Sequence, residues 1–459
     1  MGVYATSNQH LSFTRTLAYC LPVGGVAFLL LPSGVILQDL YPKYYGLSFT
    51  TIASAFLICQ VAIAIANPAI GVLSDKHWEN GGSRKSWVIA GFVLVCISGY
   101  KLLVPPEKLT GLYFTLWLLL MRLSWAVFDA PHLAWGAELT QDYDGRTRLF
   151  GIRNWIVTIG SGCFYVLPLL PIFTTQEITT QTLKCAAVIG LLYLVPVAYC
   201  AIRFVPEGTH HKSVVKPRIW EDLKTIFSNK PFLILIAAVI FTGIGQDMWM
   251  TLDFIVYDHY YGLAKDFSLM NLLATLLTAA GFPFFIRASE RMGKKNSLAV
   301  LQLIFIALIT ARVFVQPGRH AFLPLQVILT GVQMVMIFSC GVIQALLADT
   351  VDYGLWRFGR GQGASYYAIY YFLVFALGGF GGPVGLTIID HLGFSPHGIT
   401  NINDARVAIA ITFFLIPLVL TGLALVFIWR IPICARRAAI IRRRIEFRSK
   451  TPSPFESGA

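Results

Sequence analysis

Twelve apolar stretches follow one another along this chain, at 15–41, 49–74, 87–104, 111–138, 151–173, 182–204, 230–258, 267–287, 297–314, 321–349, 364–391 and 405–430. Each is close to or above the ~20 residues that carry a helix across a bilayer core. In lipid the backbone must satisfy its own polar groups, so stretches of this kind become helices. The basic residues between them are unevenly placed. With the N-terminus inside, 27 of the 36 Lys and Arg lie in inside segments. The outside loops hold eight, namely Lys43, Lys101, Lys108, Lys184, Lys265, Arg312, Arg319 and Arg406, and Arg122 lies within the fourth stretch. Cytoplasmic loops retain positive charge, so both termini are expected in the cytoplasm, as in a bacterial inner-membrane protein. The expected fold class is an all-α polytopic membrane protein with twelve transmembrane helices.

Only 13% of residues are charged, against ~25% in a soluble domain. The net charge of +13 reflects loop topology and a basic tail, with Arg442, Arg443 and Arg444 facing anionic lipid, rather than nucleic-acid binding. The eight cysteines show no metal-ligand or disulfide spacing. The first apolar run exceeds a signal h-region and no small-residue cleavage pattern follows it, so no cleaved signal peptide is expected. Nothing matches a nucleotide-binding loop, a catalytic triad order or a metal cluster. No cofactor, no metal and no enzymatic activity are expected.

The longest central polar stretch, Val205–Lys230, has six apolar stretches on either side. Its segment IWEDLKTIF spaces Ile219, Leu223 and Ile226 as a short surface helix would, or is a linker. The expected organisation is an N-terminal bundle at 1–204, a central loop at 205–229, a C-terminal bundle at 230–430 and a basic tail at 431–459. The halves echo each other. Gly71 and Asp75 precede Arg84 and Lys85, and Glu290-Arg291-Met292-Gly293 precedes Lys294-Lys295. Asp142-Tyr143 and Asp352-Tyr353 are each followed by Arg. Two parallel six-helix pseudo-repeats are the arrangement of the major facilitator fold. Ion pairs between a loop and a helix end can hold a gate shut and break when it opens. The residues expected in that role are Asp75, Arg84, Lys85, Glu138, Asp142, Arg146, Arg148, Arg153, Glu290, Arg291, Lys294, Asp349, Asp352 and Arg357.

Three segments carry a resemblance: AWGAELTQDYDGRTRLFGIRN (Ala134–Asn154), ADTVDYGLWRFGRGQG (Ala348–Gly363) and NPAIGVLSDK (Asn67–Lys76). Together they resemble the glycoside–pentoside–hexuronide:cation symporter family, melibiose permease-like members of the major facilitator superfamily. The resemblance spans most of the chain. It implies a carrier of a small organic solute, working as a monomer by alternating access. The chain departs from the family at the ion site. By register, two acids of helix 2 become Ile63 and Asn67, a helix 1 acid becomes Ala27, and a helix 11 lysine becomes Phe372. Only the helix 4 acid is retained, as Asp129. A buried sodium ion needs an anionic ligand, so proton coupling is expected rather than sodium coupling.

Buried carboxylates in membrane spans default to functional roles. Arg122, Asp129 and His132 fall on one face of the fourth stretch and form a polar stripe suited to proton carriage. In the seventh stretch, Asp247 lies ~25 Å along the helix and is a candidate for proton or hydroxyl binding, while Asp253 is expected near the surface. Candidate solute contacts are Gln60, Asn67, Trp125, Gln246, Gln344, Tyr370 and Tyr371. Phenols offer a flat apolar face plus a hydroxyl, which suits a sugar or an aromatic ligand. Tyr366 and Tyr367 are expected in an interfacial belt. Two substrate classes stay open: a glycoside or sugar-like solute, or an amphiphilic or apolar one such as a lysolipid or steroid. A non-transporting receptor or scaffold is the third reading.

Overall fold

The structure, a computed structural model, describes residues 12–139, 143–207, 224–359, 363–392, 394–395, 398–399, 402–433 and 435–450. The chain divides into two compact units, Met1–Val214 with Ala264–Leu269, and Val215–Leu263 with Met270–Ala459.

The first unit contains α1 (Phe13–Val35), α2 (Leu37–Tyr45), α3 (Phe49–Glu79), α4 (Arg84–Leu103), α5 (Gly111–Leu139), α6 (Tyr143–Val166) and α7 (Thr180–Phe204). Helix starts follow from local chemistry. Ser48 accepts from the Thr51 amide at 3.1 Å, and Thr179 and Thr182 form a reciprocal cap on α7. The first apolar stretch is two elements, because α1 ends at Val35 and α2 begins at Leu37. Pro22 and Pro32 both lie inside α1. Gly24 lets α1 and α6 touch: a Cβ there would meet the Ile156 carbonyl oxygen at 3.2 Å, and one on Gly160 would overlap the Gly24 carbonyl. These glycines therefore serve close packing of α1 against α6.

The second unit contains α8 (Lys230–Val256), α9 (Ala264–Met292, apart from Ala264–Leu269), α10 (Lys294–Val313), α11 (Phe322–Phe358), α12 (Gly363–Gly378), α13 (Gly381–His391), α14 (Ile402–Ile409), α15 (Ile416–Arg430) and α16 (Ala435–Lys450). The Asn229 side chain accepts from the Phe232 amide to start α8. Gly293, at φ +78°, makes the turn between α9 and α10, a conformation that favours glycine. Apart from a two-stranded ladder pairing Phe394 with Ile399, the described residues are helical or irregular. Packing repeats between the units. α4 lies against α5 as α10 lies against α11, α1 packs on α7 as α8 packs on α15, and α4 meets α7 as α10 meets α15.

Eleven described helices are long and apolar enough to cross a membrane. The twelfth expected span is α6. It begins at Tyr143 rather than at 151, and its apolar part, 149–166, is interrupted by Arg153 and Asn154. The segment holding Ile219 and Leu223 lies outside the described residues, as does Asp142 and the side chain of Arg146.

Candidate functional site

In the first unit, α1, α5 and α6 converge on one charged group. Arg153 of α6 is buried, and its Nη2 pairs with Oδ1 of Asp129 on α5. Its Nε also points to Nδ1 of His132 at 3.5 Å. The His132 ring is fully buried and stacks on Tyr19 with centroids 4.1 Å apart. Its Nε2 lies 3.0 Å from the Tyr19 carbonyl, and the Tyr19 hydroxyl donates to the His132 carbonyl at 2.6 Å. An arginine beside Nδ1 and a carbonyl beside Nε2 make this the Nε2–H tautomer of a neutral imidazole. Trp135 closes the cluster edge-on to Tyr19 at 5.5 Å, and its indole donates to the Pro206 carbonyl at 2.9 Å.

This arrangement corrects one expectation. The ionic partner of Asp129 is Arg153, reached across helices, rather than Arg122 on its own helix. The Arg122 guanidinium instead lies over the Phe56 ring at 5.7 Å, with Nη2 3.5 Å from the Ser33 carbonyl. His132 has both ring nitrogens engaged within the protein, one beside Arg153 and the other beside the Tyr19 carbonyl. The Asp129 side chain is the part left accessible, 23% exposed against 7% for Arg153. A carboxylate at the rim of a buried guanidinium can accept a hydroxyl from a solute or a proton, and either event alters its hold on Arg153.

The expected gating residues divide into two matching sets. Arg84, the first residue of α4, is buried and contacts Asp75 at 2.7 Å, Glu138 at 3.2 Å and the Ser74 hydroxyl at 3.1 Å. Next to it, Lys85 donates to the carbonyls of Ile202 and Val205 at the end of α7 (2.9 and 2.7 Å). In the second unit, Lys294 is the first residue of α10. It bonds both oxygens of Asp349 at 2.8 and 2.7 Å and the Ala345 carbonyl at 3.1 Å. Its neighbour Lys295 donates to the carbonyls of Trp429 and Ile431 at the end of α15 (2.8 and 2.9 Å). The acid that Lys294 holds is thus Asp349 on α11, the counterpart of Glu138 on α5, and not Glu290, which is exposed. Arg148 and Arg291 are exposed as well. Asp352 is half-buried, and Arg357 donates to Tyr353 one turn back at 2.8 Å.

The solute candidates scatter. Asp247 on α8 accepts from the Gly382 amide at 2.7 Å and so caps α13. Beside it, the Nε2 of Gln246 is buried without a hydrogen bond. Tyr370 is buried and sits edge-on to Tyr371, which is 42% exposed. Gln60, Asn67 and Trp125 are half-buried in the first unit, with Trp125 6.0 Å from the Phe128 ring. Gln344 is exposed and reaches only Cys340 on its own helix. Tyr366 is not a belt residue: it is 1% exposed and its hydroxyl accepts from the Asn229 side-chain Nδ2 at 2.9 Å. Asp253, expected near the surface, is buried against Arg312.

Residues 18–435 match the family described as MFS/sugar transport protein. This chain belongs to that family. The inner membrane symporter YicJ of Escherichia coli (strain K12) is 24% identical over 400 residues, covering 82% of each chain. The isoprimeverose transporter of Lactiplantibacillus pentosus is 24% identical over 351 residues, 71% of this chain and 70% of that one. Among solved structures, the nucleoside transporter NupG superposes with a TM-score of 0.65 at 12% identity, covering 91% of this chain and 98% of that one. That likeness concerns the fold. Helices and family together make this an integral membrane protein with the major facilitator transporter fold.

Proposed function

We propose that this protein is a secondary active transporter of a glycoside or similar polyhydroxy solute, driven by protons, with the Asp129–Arg153 pair as its coupling site. The observation that carries this reading is that a partly accessible carboxylate, Asp129, pairs with the buried guanidinium of Arg153 across α5 and α6. A proton on Asp129 removes the charge that balances Arg153. The guanidinium then turns its donors to an incoming hydroxyl oxygen, which links proton uptake to solute binding. Solute release and reformation of the pair return the proton. The loss of acids at Ala27, Ile63 and Asn67 favours a proton over sodium, because a sodium ion in low dielectric needs anionic oxygens around it. The symporter names of the relatives, one of them an isoprimeverose carrier, support a sugar-like substrate. We place the protein in a bacterial inner membrane with both termini in the cytoplasm, on the charge bias of its loops.

The test is uptake into proteoliposomes of a panel of labelled glycosides, uronides, steroids and lysolipids under an imposed pH or sodium gradient. Accumulation of a glycoside driven by the pH gradient alone is the expected result. Asp129→Asn should abolish accumulation and retain exchange down a gradient. Uphill uptake preserved in that variant, or driven by sodium, overturns the coupling assignment. Hits confined to steroids or lysolipids overturn the substrate class.

A further inference from the structure

The second unit buries a charged group that the coupling pair does not use. Arg312, in the last turn of α10, has a side chain only 1% exposed. Its Nη1 meets Oδ1 of Asp253 on α8 at 2.7 Å. Four rings surround the guanidinium: Phe413 at 4.4 Å, Tyr257 at 5.2 Å, Trp249 at 5.4 Å and Tyr261 at 5.6 Å. Three of them come from two π-helical turns, Tyr257–Tyr261 after α8 and Ala410–Leu415 after α14. Such wide turns are rare and cluster at functional sites.

Asp253 occupies one corner of the guanidinium only. Nε and Nη2 are buried and meet no acceptor in hydrogen-bond geometry, with the Tyr261 hydroxyl as their polar neighbour. These two nitrogens lie on one edge and form the fork that grips a carboxylate or phosphate with two parallel bonds. Arg312 also lines a cavity of about 500 Å³, with Tyr260, Tyr261, Phe314, Arg406 and Ile409 around it. Arg406 is exposed and adds a second cation. Arg312 and Arg406 against Asp253 leave one positive charge unbalanced at this site. The remaining wall is aromatic and aliphatic.

We infer that this cavity binds the acid group of a small organic monoanion, a carboxylate or a phosphate ester, on the Nε–Nη2 edge of Arg312. Arg406 attracts the anion at the rim, and Tyr260, Phe314 and Ile409 pack its apolar body. Tyr261 covers the guanidinium and is 3% exposed, so the π turn that carries it must yield for the acid group to enter. The inference concerns α8, α10 and the Ala410–Leu415 turn alone and stands apart from the Asp129 reading.

Calorimetry on the full chain in phosphatidylcholine nanodiscs tests it, with benzoate and phenyl phosphate as probes and benzamide as the neutral isostere. Benzoate or phenyl phosphate should bind and benzamide should not. Arg312→Lys keeps a cation for Asp253 but removes the fork, and should weaken benzoate at least about tenfold, roughly the worth of one charge-assisted bond. Arg406→Gln, at an exposed position that folding tolerates, should weaken it about two- to fivefold and flatten its salt dependence. Adding phosphatidylglycerol separates the sources: competition with benzoate assigns the site to a lipid phosphate, and its absence assigns it to a soluble anion. Equal binding of benzamide and benzoate overturns the inference. So does benzoate affinity unchanged by Arg406→Gln and, where it folds, by Arg312→Lys.

Discussion

Arg153 bonds Asp129 on the neighbouring helix through one nitrogen and approaches His132 of that same helix through another, so one side chain ties two residues three positions apart. His132 is fixed in turn by Tyr19 of α1. Replacing His132 with Gln should leave proton coupling intact, because the imidazole is already neutral and engaged. It should raise the solute KM by about tenfold, the worth of one hydrogen bond to a charged group. Uptake kinetics under a fixed pH gradient check this. A loss of accumulation equal to that of Asp129→Asn would make His132 a proton carrier instead.

Breaking the pair at the start of α4 should loosen the first unit. Arg84 and Glu138 are both largely buried, at 7% and 17% side-chain exposure. Arg84→Ala should cost about 2 kcal/mol, the value of a charge-assisted bond, and lower the Tm in a detergent melt by several degrees. Lys294→Ala should do the same in the second unit through Asp349. If the pairs also act as gates, a cysteine introduced beside either one should label faster in the alanine variant.

Asp253→Asn should destabilise more than any surface change, by ~3–5 kcal/mol, because it leaves Arg312 buried with no counter-charge. The double change Asp253→Leu with Arg312→Met removes both charges and should recover most of that loss. Thermal melts of Asp253→Leu, Arg312→Met and the double variant measure the coupling.

Gly160→Val should abolish expression or folding, since its Cβ would overlap the Gly24 backbone. Gly151→Ala, at a position with open space around it, should be silent. Comparing membrane levels of the two separates close packing from a general need for glycine in α6.

The twelve apolar stretches and their grouping into halves were readable because period and hydropathy act locally along the chain. The start of α6 was misread because its first turns are charged, and charge outweighs helical continuity in a hydropathy reading. Asp129 stood out as a lone acid in an apolar run. Its partner did not, because Arg153 sits beside a basic loop and looks like a topology marker until α5 and α6 are side by side. Asp253 and Arg312 fell near span ends and read as interfacial for the same reason. Sequence spacing cannot report that two residues 59 positions apart are in contact. Tyr19 left no signal at all, being one ring in a long apolar run whose partner is 113 residues away.

The lysine hooks on α7 and α15 make the length of each unit a counted quantity. Lys85 grips carbonyls that lie 117 and 120 positions later, and Lys295 grips others 134 and 136 later. One residue inserted into α7 would turn its last carbonyls by ~100° and move them ~1.5 Å, off the ammonium. Insertions and deletions should therefore collect in the connections between helices rather than within α7 or α15. Within α7 and α15 themselves the residue count should be fixed by the register of these carbonyls against the lysines.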